Sequence, residues 1–168
     1  MRAALLLVAL GIGMVGCDQA TKQVAVEHLE GEPPVALMGG AVRLVYAENP
    51  GAFLGLGDGL PDGARSALLV GVNLVILGAL GWWAFRRRQD MLVRAAATLV
   101  IAGGIGNLID RLLRDGGRVV DFLVLGAGPL RTGIFNVADV AVMVGAGLLL
   151  LRAGRRAPSV SPPPAPQT

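Results

Sequence analysis

Charged and amide side chains interrupt otherwise apolar stretches of this sequence, and they fall into small groups. The groups are Asp18 with Lys22, Asn107 with Asp110 and Arg111, Asp121 alone, and Asn136 with Asp139. Within a group, three or four residues separate most members, which is about one turn of an α-helix. Ionisable groups are costly in apolar segments, so each of these residues is a candidate for a functional site.

The chain lacks the residues that most kinds of catalytic site require. His28 and Cys17 are the only histidine and cysteine, and no HExxH motif occurs, so a zinc site lacks ligands. A Ser-His-Asp triad would depend on His28 alone. A Ser–Lys dyad would require Ser66 to meet Lys22, the only lysine, and neither lies in a motif for that chemistry. Carboxylates remain, and we expect no metal and no cofactor.

The aspartates divide into two kinds by their neighbours. Asp18 lies four residues from Lys22, and Asp110 is followed by an arginine, so for these we expect structural ion pairs. Asp121 and Asp139 have no charged partner at helical spacing on their own segments, and for them we expect catalysis. Two close carboxyl groups do not both ionise readily, so one keeps a proton while the other acts as a base. Such a pair can activate water and protonate a leaving amine, as in aspartic proteases.

The composition indicates the environment of these residues. Of 168 residues, 54% are hydrophobic and 16% are charged, and the mean hydropathy is +0.63. These values predict an integral membrane protein. The pI near 10.0 would suit nucleic acid, but the arginines cluster at the ends of apolar runs, which is a topology signal, so we expect no nucleic-acid partner. A single cysteine excludes an internal disulfide.

Four apolar segments approach the roughly 20 residues that cross a bilayer as a helix. They cover about residues 3–26, 66–85, 92–113 and 134–151. The sequence therefore predicts an all-α membrane protein with four transmembrane helices. We expect one four-helix transmembrane domain over residues 1–156, followed by a disordered, proline-rich cytoplasmic tail over residues 157–168.

The orientation follows from the arginines. Four of them crowd the short 86–94 connection, three follow the fourth segment and Arg2 precedes the first, so both termini are expected in the cytoplasm. Two loops then face outward, at about 27–65 and 114–133. Alternating apolar residues in "AVRLVYAEN" and the run "RVVDFLVLG" predict a small extracytoplasmic β-rich platform. The candidate polar residues all fall near this outer boundary.

Five sequence blocks together resemble one family. They are "DQATK" (18–22), "ENPGAF" (48–53), "GGIGNLIDR" (103–111), "VVDF" (119–122) and "FNVAD" (135–139). In this order and on four helices, the blocks resemble those of the lipoprotein signal peptidases, the type II signal peptidases of bacteria. The resemblance implies a multi-pass aspartyl peptidase of the bacterial inner membrane, with its active site at the outer leaflet.

The resemblance assigns roles to individual residues. It implies that Asp121 and Asp139 are catalytic. It also implies that a larger set binds substrate or supports the site: Asp18, Lys22, Asn49, Gly51, Phe53, Asn107, Asp110, Arg111 and Asn136. The glycine-rich stretch after Tyr46 is expected to close over the substrate, with hydrogen bonds from Asn49 and apolar contact from Phe53 or Leu54.

The implied substrate is a prolipoprotein whose lipobox cysteine carries a diacylglyceryl group, cleaved just before that cysteine. Membrane lipids are the other implied partners, no metal or cofactor is implied, and we expect a monomer. Two other hypotheses from the residues are a proton-coupled transporter with Asp110, Asp121 and Asp139 as a relay, and a non-catalytic scaffold. The run "ALGIGMVGC" also resembles a lipoprotein processing site, so lipidation of Cys17 is a further alternative.

Overall fold

The computed structural model describes residues 1–51, 60–86 and 89–154. Its four long helices are α1 (Arg2–Leu29), α2 (Asp62–Arg86), α3 (Met91–Leu113) and α4 (Val137–Gly154). Each is long and apolar enough to cross a membrane. The predicted all-α membrane class with four spans is therefore confirmed, and the chain is a multi-pass membrane protein.

The helix ends differ from the sequence-based ranges. α1 continues to Leu29 and α2 begins at Asp62, whereas α4 begins at Val137 rather than near residue 134. The late start of α4 has a structural cause. Phe135 runs beside a strand, because its backbone N–H donates to the carbonyl of Leu123 at 2.9 Å and its own carbonyl accepts from the Leu123 N–H at 2.8 Å.

The predicted outer platform is a four-stranded antiparallel sheet. Its strands, in spatial order, are β1 (Val35–Leu37), β2 (Val42–Asn49), β3 (Val119–Ala127) and β4 (Leu130–Arg131). The two loops that contribute these strands meet because β2 pairs with β3. One face of the sheet packs on the C-terminal end of α1, where the buried side chains are Ala25, Leu29, Val120 and Phe122.

α3 is the central helix of the bundle and contacts α1, α2 and α4. Half of its most apolar stretch is buried inside the protein, against 6–17% for the other three helices. Two glycines of "GGIGNLIDR" allow this close packing. A Cβ atom at Gly103 would collide with the carbonyl oxygen of Ala138 in α4, and one at Gly106 would lie 2.5 Å from Oδ2 of Asp18 in α1.

Some sequence-based predictions fall outside the described residues. Phe53 and Leu54, with the expected closing loop, lie in residues 52–59. The proline-rich tail lies in residues 155–168, and part of the short α2–α3 connection lies in residues 87–88.

Candidate active site

Asp121 lies on β3, where the sheet meets the C-terminal end of α1 and the start of α4. In the pairing of β2 with β3 it is opposite Ala47, so Asn49 of β2 lies on the same face. Asn49 Nδ2 donates to Asp121 Oδ2 at 2.9 Å, and Asn49 Oδ1 accepts from the backbone N–H of Gly51 at 2.8 Å. The second hydrogen bond orients the amide so that its donor points to Asp121, which is only 2% exposed.

Asp139 lies in the first turn of α4, where it forms a reciprocal cap with Asn136. Asn136 Oδ1 accepts from the Asp139 backbone N–H at 2.9 Å, and Asp139 Oδ2 accepts from the Asn136 backbone N–H at 3.1 Å. This is the geometry of a capping box, with Asn and Asp in place of the more usual Ser or Thr and Glu. The cap fixes the half-buried Asp139 carboxyl group relative to the helix end.

Asn136 also connects the two candidate catalytic carboxyl groups. Its Nδ2 lies 2.6 Å from Asp121 Oδ1, while its other side-chain atom and its backbone bind Asp139. Asn136 is fully buried, and Nδ2 has further acceptors in the carbonyl of Val120 and Oδ1 of Asn107. One asparagine therefore contacts both aspartates and holds β3 against the start of α4.

Asn107 holds Asp139 from the side of α3. Its Nδ2 donates to Asp139 Oδ1 at 2.9 Å. Its Oδ1 accepts from Lys22 Nζ at 2.9 Å and from Asn136 Nδ2 at 3.1 Å. Because two donors converge on this oxygen, the nitrogen of the amide must face Asp139.

Lys22 is the centre of a buried charge cluster beneath the site. Its Nζ lies 2.9 Å from Asp18 Oδ2 and 3.0 Å from Asp110 Oδ2, and all three side chains are almost fully buried. Asp18 Oδ1 accepts from the backbone N–H of Ala138, and Asp110 Oδ2 accepts from that of Val120. The cluster therefore connects α1 and α3 to the start of α4 and to β3.

Asp110 pairs differently from the sequence-based expectation. Its ionic partners are Lys22 and, at 3.5 Å, Arg114, and no ion pair with Arg111 occurs in the described residues. The reason is helical geometry, because neighbouring residues point in different directions whereas residues four apart share a face.

Arg111 projects toward the end of β2 instead. Its Nη1 donates to the carbonyl of Gly117 at 2.9 Å. Gly51 has φ +86°, and a Cβ atom there would lie 2.9–3.0 Å from the guanidinium nitrogens. Glycine at position 51 therefore satisfies a left-handed backbone and leaves room for the guanidinium. Arg111 has no carboxylate partner among the described residues.

Gln19 is a polar residue of this site that sequence reasoning missed. Its Nε2 donates to the carbonyl of Gly106 at 3.0 Å and lies 3.2–3.3 Å from Asp18 Oδ2 and Asp110 Oδ1. Its position in "DQATK", between the candidate residues Asp18 and Lys22, was the sequence signal that could have identified it.

Among residues 1–51, 60–86 and 89–154, no group of three or more acidic, histidine or cysteine side chains could hold a metal ion.

Burial sets the electrostatics of Asp121. Removal from water raises the pKa of its carboxyl group to about 6. The hydrogen bond from Asn49 opposes this rise in pKa, and the neighbouring negative charge of Asp139 adds to it. Asp121 therefore titrates near neutrality, in the range where a general acid is useful.

These features define a class of protein: a four-helix membrane protein in which one asparagine binds two carboxyl groups between a small sheet and the helices. A family model described as signal peptidase (SPase) II matches residues 10–154. The chain belongs to the signal peptidase II family, and it is therefore a membrane-embedded peptidase.

Comparisons with individual proteins support the same family. A lipoprotein signal peptidase from Azoarcus sp. (strain BH72) is 39% identical, over 91% of this chain and 86% of the relative. One from Chlorobium phaeovibrioides (strain DSM 265 / 1930) is 34% identical, over 86% and 87%. A bacterial membrane enzyme structure determined by the in meso method has a TM-score of 0.80 at 24% identity, covering 90% of this chain and 94% of that one. It shows that the folds are alike.

Proposed function

We propose that this chain is an aspartyl endopeptidase that removes signal peptides from prolipoproteins. One observation carries the proposal: the side chain and backbone of Asn136 contact both Asp121 and Asp139. These carboxyl groups come from different elements, and a single buried amide holds them at one site. Paired carboxyl groups at fixed positions are what general acid–base hydrolysis of a peptide bond requires.

The two aspartates take different roles in the proposed reaction. Asp121, whose pKa is raised by burial, carries the proton, and Asp139 is the ionised base. Asp139 removes a proton from water as the oxygen attacks the scissile carbonyl carbon, and Asp121 gives its proton to the carbonyl oxygen. Asp139 then protonates the leaving nitrogen, the C–N bond breaks, and Asp121 recovers a proton from the diol. The cycle consumes one water and requires no metal or cofactor.

The proposed substrate is a prolipoprotein whose cysteine already carries a diacylglyceryl group. Two things support it: the similar proteins named lipoprotein signal peptidase, and the position of the carboxyl groups where the helices meet the sheet. A lipid-anchored cysteine would stay at the membrane surface, at the depth of Asp121 and Asp139. We place that surface at the outer leaflet of the cytoplasmic membrane, with both termini in the cytoplasm, because the densest run of arginines, in the short 86–94 connection, belongs to the opposite end.

We assign substrate positioning to Arg111 and Asn49, which flank Gly51. The guanidinium of Arg111 is permanently charged and lies beside the Gly51 backbone, so it can donate to substrate carbonyl groups but cannot transfer protons. Phe53 would add apolar contact from the stretch that follows. Asp18, Lys22, Asn107 and Asp110 support the site through the buried cluster.

A cleavage assay tests the proposal directly. Purified protein is incubated with a diacylglyceryl-modified prolipoprotein in the presence of EDTA, and loss of the signal peptide is followed by gel shift. We expect cleavage with the chelator present and a new N-terminus at the modified cysteine. The matched control is the same prolipoprotein without lipid, which we expect to remain intact. Cleavage that requires added metal, or that begins at another residue, would overturn the proposal.

A further inference from the structure

The opposite end of the bundle contains a cavity that the proposed reaction does not use. It has a volume of about 380 Å³ and lies between the start of α1, the end of α2 and the first turns of α3. Its walls are almost entirely apolar, with Ala4, Leu7, Val8, Phe85 and Ile101 among them. The charged side chain at this cavity is Arg94 of α3.

Arg94 differs from Arg152 and Arg86, two other arginines at this end. Arg152 is paired with Asp90, with Nε 2.7 Å from Oδ2, and Arg86 lies over the ring of Trp82 at 5.5 Å from its centroid. The guanidinium of Arg94 has no hydrogen bond or ion pair within the described residues. Its Nε is the one buried side-chain polar atom among them that lacks a partner. Arg94 as a whole is partly exposed, but its Nε–H is buried, and a buried polar atom without a partner is costly, so this donor calls for an acceptor.

No acidic side chain in residues 1–51, 60–86 and 89–154 fills that role. Asp90 is the only acidic residue in the sequence near this end, and it already accepts from Arg152 and from the backbone N–H of Val93. The chain also places Arg2 next to wall residue Ala3. The site thus combines an apolar cavity between helices with a positive charge that pairs with no described acidic side chain.

We propose that this cavity binds one anionic glycerophospholipid from the adjoining leaflet. An acyl chain would occupy the space between α1, α2 and α3, and the phosphate would accept hydrogen bonds from the Arg94 guanidinium. The charge complementarity excludes a neutral or zwitterionic lipid as the preferred occupant, since its headgroup brings no net negative charge. Basic pockets between transmembrane helices bind anionic headgroups in this way. The inference is independent of the peptidase chemistry and of the direction in which the protein is inserted.

Lipid retention on the purified full chain tests the inference. The protein is equilibrated with equal amounts of dioleoylphosphatidylglycerol and dioleoylphosphatidylcholine, and bound lipid is counted by native mass spectrometry. We expect one phosphatidylglycerol per chain, favoured about fivefold over phosphatidylcholine. Arg94→Gln should remove the preference, and Arg94→Lys should retain most of it. The unaltered protein alone is informative, since equal binding of the two lipids would overturn the proposal.

Matched variants separate a site from general charge attraction. Arg86→Gln removes one charge at the same end without altering the cavity wall and should leave the preference in place. Ala4→Leu fills part of the cavity and should lower phosphatidylglycerol binding, whereas Ala9→Leu on an exposed part of α1 should not. An equal loss of preference in Arg86→Gln and Arg94→Gln would show nonspecific attraction and overturn the assignment. Unchanged phosphatidylglycerol binding in Ala4→Leu would show that the lipid does not occupy the cavity, which would overturn the proposal.

Discussion

Asn136 and Asp139 exchange two hydrogen bonds across the first turn of α4, each accepting with its side chain from the backbone of the other. Asp139 is therefore both the proposed base and a structural part of the helix start. Because Asn136 also donates to Asp121, the cap of α4 and the alignment of the two carboxyl groups depend on the same residue.

Replacing Asn136 should separate these two roles. Asn136→Ala loses the cap acceptor and the donor to Asp121, so we expect a stability loss of about 1 kcal/mol and about a 100-fold fall in cleavage rate. Asn136→Ser keeps an oxygen that can accept from the Asp139 N–H, but it lacks the amide donor. It should recover the melting temperature while cleavage remains low. Recovery of both would show that the contact with Asp121 is unnecessary.

The paired carboxyl groups give the sharpest prediction. Asp121→Asn and Asp139→Asn should each reduce cleavage by about 10³-fold or more, because an amide can neither hold nor accept the required proton. Gel-shift rates with lipid-modified substrate measure this loss, and circular dichroism checks the fold. Asp115→Asn, at an exposed aspartate in the turn before β3, is the matched control and should cleave normally. Near-normal turnover in either member of the pair would disprove the assignment.

The raised pKa of Asp121 predicts the pH dependence of cleavage. If Asp121 must be protonated, kcat/KM should fall as the pH rises through about 6, the pKa of this group. The Asn49 hydrogen bond lowers that pKa, so Asn49→Ala should move the alkaline limb of the kcat/KM profile to higher pH. A limb that stays in place, or that moves to lower pH, would contradict Asp121 as the acid.

The same pKa predicts a pH-dependent stability term. The folded-state pKa lies above the ordinary value of 3.8 for an aspartate, so the folded protein holds this proton more tightly than the unfolded chain. The favourable contribution is complete below pH 3.8 and is lost as the pH rises through about 6. The stability of the parent protein relative to Asp121→Asn should therefore decrease from pH 4 to 7. A melting-temperature difference that is constant over this range would contradict the raised pKa.

Lys22 should matter chiefly for stability. Lys22→Met leaves Asp18 and Asp110 buried without their shared cation, which we expect to cost about 3–5 kcal/mol. The matched control is Arg65→Met, whose partner Asp62 is exposed, and there we expect a loss of at most ~1 kcal/mol. Melting in detergent compares the two variants. Equal effects would mean that the buried cluster contributes no more than a surface pair.

Gly106 is predicted to tolerate no side chain. Gly106→Ala would press a methyl group against the Asp18 carboxylate, and we expect a loss of about 1–3 kcal/mol and reduced cleavage. Gly13→Ala in α1 is the matched control, since nothing lies within 4 Å of its added methyl group. Gly13→Ala should be neutral or slightly stabilising, because alanine favours a helix over glycine. Similar melting temperatures for the two variants would show that α3 can move away from α1.

The sequence predicted the architecture well because its strongest signals are local. The length of the apolar segments predicted four spans, and the alternation around Val42 and the short run from Val119 predicted the two main strands, β2 and β3. Helix ends were less accurate, because they depend on contacts distant in sequence. The start of α4 illustrates this: Phe135 was included in the helix, but its hydrogen bonds with Leu123 keep it extended.

The candidate site was predicted as a set of residues rather than as a geometry. The spacing selects Lys22, Asn107 and Asn136. It could not show that the side-chain oxygen of Asn107 accepts a hydrogen bond from Lys22 while its nitrogen donates one to Asp139. That relation depends on how closely α1, α3 and α4 approach. Spacing also missed Gln19, whose amide bonds the Gly106 carbonyl of another helix.

The pairing within the buried cluster bears on how the chain enters the membrane during synthesis. Asp18 and Lys22 are four residues apart on α1, so that helix can enter the bilayer with its charges already neutralised. Asp110 has Arg114 four residues further on, directly after the end of α3, which gives this aspartate its own counter-ion. Each of these two aspartates then has a local counter-ion before the neighbouring helices arrive. The contact between Lys22 and Asp110 forms only when α1 and α3 meet, so assembly of the bundle exchanges local partners for shared ones.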